Sequence, residues 1–150
     1  MKAFIEVEGL AELEQSGKWG EAKDLVYNLW NRDKKDEYKL CRLIFECWYV
    51  LCEWDSCISK EALSYDNFKE TLIEAVRYGF EHFNTNSVFL WVCGYMISLF
   101  PYLFYKGDDD KLYKEWEQQG KDMLLSAKNS DSENLIAKVF YLGTQKDCGE

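Results

Sequence analysis

Apolar residues recur every three or four positions along most of this chain, the spacing of one buried face on an α-helix. Residues 18–31 place Trp19, Ala22, Val26 and Leu29 on one stripe, with Glu21, Lys23, Asp24 and Asn28 elsewhere. From Asp36 to Trp54 the proportion inverts: Lys39, Arg42, Glu46, Tyr49 and Glu53 form a narrow polar stripe on an otherwise apolar helix, so most of that helix is expected to be covered. Residues 65–83 turn Phe68, Leu72, Ala75, Gly79 and Phe83 inward and Glu70, Glu74, Arg77 and Glu81 outward. The small residues Ala75 and Gly79 in that seam predict a neighbour at close range.

Residues 88–105 carry no charge over eighteen positions. That length lies at the lower edge of a membrane span. Gly94, Ser98 and Pro101 interrupt it, however, and the flanking amphipathic helices need an apolar partner, so the stretch is read as a buried central helix. Pro101 is expected to end or kink it near Phe100, because proline lacks a backbone donor and clashes one turn back. After Gly107, the run Asp108-Asp109-Asp110 stands where carboxylates cap a helix and favour its positive end. The following helix shows Leu112, Trp116, Gly120, Met123 and Ala127 on one side. Ser130 and Glu133 have capping-box spacing for a last helix through Leu135, Ile136, Val139 and Phe140. Residues 3–8 alternate like a strand, but a first helix broken near Gly9 accounts for them as well. The reading is an all-α fold of about seven antiparallel helices, a helical-hairpin array around a buried central helix, in a single domain over residues 1–150.

Composition narrows the partners. Twenty-seven acids against eighteen Lys and Arg leave a net charge of −9. Such a field repels nucleic acid and anionic lipid and speeds encounter with a cationic protein. Hydrophobic content of 47% and a single proline are globular, not those of a disordered acidic tail. Six Trp, ten Tyr and nine Phe supply an unusual number of large rings for binding or core. The cysteines at 41, 47, 52, 57, 93 and 148 form no C-x-x-C pair. With an acid as early as Glu6, the N-terminus does not read as a secretory signal, so a cytoplasmic, reducing location and mostly buried thiols are expected, Cys148 being the exposed one.

No catalytic constellation emerges, and no enzyme activity, cofactor or metal is expected. His82 sits near a helix end, where it can serve the last carbonyls. Glu70, Glu74 and Glu81 share a helix side but lack the histidine that would make them metal ligands. The aspartate run does not follow an EF-hand loop. Partner contact is expected at two places: Glu46, Tyr49, Glu53, Trp54 and Asp55, where acids alternate with rings, and Asp108, Asp109 and Asp110. The group Glu6, Glu8, Glu12 and Glu14 forms a further acidic patch.

The run Gly17-x-Trp19-x-x-Ala22-x-x-x-Val26-x-x-Leu29 resembles the second-helix half of a tetratricopeptide repeat, with Val26 and Leu29 in place of Phe and Ala. The resemblance implies that Ala22 sits at a tight helix crossing and Trp19 plugs the hairpin base. Leu90, Cys93, Gly94 and Ile97 echo a first-helix pattern faintly, and the helix starts keep no constant period, so the likeness is to a divergent array. In size, charge and helical content the chain is also similar to bacterial immunity proteins of contact-dependent growth inhibition and other polymorphic toxin systems. That likeness implies neutralisation of a basic cognate toxin domain, often a nuclease. A peptide-binding adaptor or chaperone is the alternative that the tetratricopeptide likeness implies.

Overall fold

Side-chain caps mark where three of the helices begin. Asp36 accepts from the amides of Tyr38 (2.9 Å) and Lys39 (3.2 Å), Asn86 from that of Phe89 (3.0 Å), and Asp109 from that of Lys111 (2.8 Å). Each satisfies first-turn donors that have no partner inside the helix. The computed structural model describes residues 5–55, 63–130 and 135–144. Among these the chain is all-α, with no strand. It comprises α1 (Leu10–Gln15), α2 (Trp19–Arg32), α3 (Glu37–Cys52), α4 (Tyr65–His82), α5 (Ser87–Leu99), α6 (Asp110–Ser130) and α7 (Leu135–Thr144), with a 3-10 turn at Pro101–Phe104.

The chain start departs from both expectations. Residues 5–7 have no regular structure, a turn follows at Glu8 and Gly9, and α1 begins at Leu10, whereas Ala3 and Phe4 lie outside the described residues. Among the described residues a strand has no partner for its backbone groups, and Gly9 takes a left-handed conformation (φ 82°) that no continuous helix passes through. Ser130 also differs: it is the last residue of α6, where its hydroxyl donates to the Ala127 carbonyl (3.2 Å). Glu133, its expected capping-box partner, lies outside the described residues.

The contacts divide the chain into two compact units, residues 2–78 and 79–150, with the division inside α4. In the first, α2 packs against α1 and α3. Ala22, Val26, Trp30, Leu40, Ile44 and Cys47 are completely buried. The Trp30 ring meets Tyr27 (5.7 Å between centroids) and Tyr78 (5.3 Å) edge-on, a favoured aromatic geometry.

In the second unit α5 packs chiefly on α6. Nine of its thirteen residues are buried. The two backbones touch where both carry glycine: a Cβ on Gly120 would lie 2.8 Å from the Ser98 nitrogen and 3.0 Å from the Gly94 oxygen. The small residue Gly79 admits the ring of Phe89, which fills the space a Cβ would take. Pro101 ends α5 as its chemistry requires: the helix stops at Leu99 and the 3-10 turn follows. Among the described residues no helix is long and apolar enough to cross a membrane.

Candidate partner interface

The middle of the polar stripe on α3, Arg42 and Glu46, turns inward. Arg42 donates through one guanidinium nitrogen to Glu46 Oε2 (2.7 Å) and through another to Glu14 Oε1 on α1 (2.8 Å), and its guanidinium lies 5.3 Å from the Phe45 ring centroid. Glu46 is 1% exposed, and its Oε1 is buried without a hydrogen-bond partner. Burial pushes this carboxyl above its ordinary range; Arg42 opposes the shift and Glu14 adds to it. Glu46 is therefore removed from the surface and corrects the expectation that it meets a partner. An arginine one turn earlier balances its charge internally.

The other residues of that group remain accessible. Tyr49 is 37% exposed and packs on Trp19 (5.4 Å) and Phe45 (6.1 Å). Glu53, Trp54 and Asp55 form a turn beyond the end of α3, with Asp55 exposed and the other two half-buried. Trp54 meets Tyr65 (5.3 Å) and Phe68 (6.3 Å) edge-on at the start of α4. The corner is thus fixed to α4 through its ring, while Asp55 faces solvent.

Phe68 links this corner to a cleft of ≈ 300 Å³ between α2 and α4. From α2 it takes Lys23, Asp24 and Tyr27; from α4, Asn67, Glu70, Thr71 and Glu74. The i,i+4 spacing of Lys23 with Tyr27, of Glu70 with Glu74 and of Asn67 with Thr71 puts each pair on one helix face. The Tyr27 hydroxyl donates to Glu74 Oε1 (3.0 Å). Desolvation, and then this hydrogen bond to a carboxylate, raise the phenol's pKa. The Thr71 hydroxyl donates to the Asn67 carbonyl (2.9 Å) within α4. The Lys23 ammonium donates to Asn67 Oδ1 and lies 4.9 Å from the Phe68 centroid. Asp24, Glu70 and Glu74 are exposed, whereas Lys23 is 8% exposed.

The sequence pattern sets Lys23 off the apolar stripe of α2 and does not single out this cleft. A signal was present. Trp19, Ala22, Lys23, Val26 and Trp30 follow helical spacing, which sets a lysine inside an apolar stripe. Such a lysine buries its stem and directs its charge toward a polar opening.

The aspartate run belongs to the second unit. Asp108, Asp109 and Asp110 are exposed; Asp109 caps α6 and Asp110 is that helix's first residue. The Glu6, Glu8, Glu12 and Glu14 patch lines a cavity of ≈ 700 Å³ that Arg42 also reaches, so one of its acids is already paired. His82 ends α4, with Nε2 3.9 Å from Glu81 Oε2. Among the described residues no group of three or more His, Cys, Asp or Glu is arranged to hold a metal ion. Among the described residues, Cys41, Cys47, Cys52 and Cys93 are not joined in disulfides. Burial pushes Cys41 up to about 12 and Cys52 up to about 11, and raises Cys47 as well. A thiol so shifted carries little of the thiolate that reacts or binds metal. Cys57 and Cys148 lie outside the described residues. No protein-family profile matches the chain, and neither the curated proteins nor the solved structures contain a match to it.

Proposed function

We propose that this protein is an immunity-type inhibitor that binds a basic cognate toxin domain through the acidic, ring-bearing side of its first unit. One observation carries the reading: Asp24, Glu70 and Glu74 converge on a cleft that also holds Tyr27 and adjoins, through Phe68, the corner with Trp54. Fixed rings provide contact area at low entropic cost, and clustered carboxylates attract a surface rich in Lys and Arg. A nuclease must be cationic to hold phosphates, so an acidic inhibitor is steered to the surface its substrate uses. Asp55 and Tyr49 extend the contact, and Asp108 and Asp110 supply longer-range attraction. The reading is cytoplasmic and involves no catalysis, metal or cofactor.

Stopped-flow association with the basic toxin domain that this reading expects to be encoded beside this gene is the test. Nanomolar or tighter binding is expected, with an association rate that falls as salt rises. The double variant Glu70→Lys/Glu74→Lys should slow association by roughly tenfold or more while leaving helicity intact. Micromolar binding, or a rate indifferent to salt and to these charges, would refute the reading. A peptide-holding adaptor is the second reading, and the complete burial of Ala22 and Val26, where α2 packs against α1 and α3, favours it. It expects weaker binding to a linear segment, and a peptide array without a ligand would count against it.

A further inference from the structure

The α2–α4 cleft holds a buried cation with no carboxylate of the described residues paired to it. Lys23 has no carboxylate within 4.0 Å among the described residues; an amide oxygen and the face of a ring are what meet its ammonium. Removing an ammonium from water is costly unless a counter-charge replaces the water, and this one retains hydrogen-bond donors beyond the one given to Asn67. The Asn67 side-chain oxygen faces that ammonium. Asp24, Glu70 and Glu74 bring three carboxylates to the same cleft. One of them, Glu74, is held by the Tyr27 hydroxyl.

We propose that this cleft binds an α-carboxylate that carries a basic side chain: arginine or lysine, as the free amino acid or as the C-terminal residue of a polypeptide. The carboxylate meets Lys23, and the guanidinium or ammonium meets the acids grouped around Glu74. Both charges are required. A plain amine leaves the Lys23 ammonium without an anion, and a plain carboxylate adds a fourth negative group to three. A phosphate ester fails for the second reason more severely. A volume of ≈ 300 Å³ accommodates one such residue. The inference goes beyond the partner reading and does not rest on it, because small molecules alone test it.

Isothermal titration of the full chain with arginine, Nα-acetylarginine, agmatine and norvaline decides the matter. Agmatine lacks the carboxylate and norvaline lacks the guanidinium. Saturable binding of arginine is expected, with agmatine and norvaline at least about tenfold weaker. Lys23→Gln, with its helical circular dichroism retained, should abolish the preference for arginine over agmatine. If Nα-acetylarginine matches arginine, the ligand is a chain terminus; if arginine alone binds, it is the free amino acid. The proposal is overturned if none of the four saturates the protein at about 10 mM, if agmatine equals arginine, or if a folded Lys23→Gln binds arginine like the parent. Should Lys23→Gln not fold, the four-ligand comparison on the unaltered chain still decides. None of these failures touches salt-dependent binding of a basic protein, so the two readings fall separately.

Discussion

Two buried cations in the first unit are treated in opposite ways. Arg42, 8% exposed, bridges Glu46 and Glu14, so its charge is balanced within the protein. Lys23, equally buried, meets an amide and a ring. The Arg42 cluster joins α1 to α3 and leaves one carboxylate oxygen of Glu46 unsatisfied, which marks it as a structural tie. The Lys23 ammonium lines an opening surrounded by hydrogen-bonding groups. Burial alone does not separate a structural charge from a functional one; the presence or absence of an internal counter-ion does.

The largest effect should come from breaking the Arg42 tie. Arg42→Met leaves Glu46 buried without its cation and should lower stability by roughly 3–5 kcal/mol in urea denaturation. The double variant Arg42→Met/Glu46→Leu should recover most of that loss, since a buried pair exchanged for packed apolar groups is often neutral. A double variant as unstable as the single one would show that Arg42 acts through packing on Phe45 or through Glu14 instead.

A smaller effect lies in the pH dependence. Glu46 has a folded pKa above its ordinary value of 4.5. The folded protein therefore binds this proton more tightly than the unfolded chain does. The resulting stabilisation is complete below the unfolded pKa and is lost as pH rises through the raised folded one. Stability should fall across that window, and Glu46→Gln should flatten the fall. An unchanged slope in Glu46→Gln would assign the titration to another group.

The smallest effect is expected at Lys23. Lys23→Met keeps the buried stem and orphans no salt-bridged carboxylate, so stability should change by less than about 1 kcal/mol. A loss as large as that of Arg42→Met would erase the contrast and make Lys23 a structural charge as well.

Local pattern carried much of the fold and little of the cleft. Asp36, Asn86 and Asp109 lie just before apolar periodicities, and Pro101 stops α5, because caps and prolines act within one turn of themselves. The uncharged stretch from Val88 declared a covered helix through its composition. What the pattern could not supply is pairing across distance. Glu14 and Arg42 are 28 residues apart, Lys23 and Asn67 are 44, and Tyr27 and Glu74 are 47. A stripe of polar residues on α3 looks solvated until a glutamate from α1 closes over it, which is why Glu46 reads as surface in the sequence. The residues after Phe4 fail for a related reason: alternation specifies a strand only when another strand accepts its hydrogen bonds.

The glycine contact between α5 and α6 sets how the second unit can drift through evolution. Interfaces built from side chains can be retuned in small steps, exchanging Leu for Met or Ile as neighbours adjust. At Gly94 and Gly120 nothing intermediate exists, because the smallest addition, a methyl group, meets backbone atoms that cannot turn aside. Change must pass around these two points. A glycine pair 26 positions apart (120 minus 94), one member in an uncharged helix and the other in a helix opened by aspartates, is thus a better guide to distant kin than the residues that surround it.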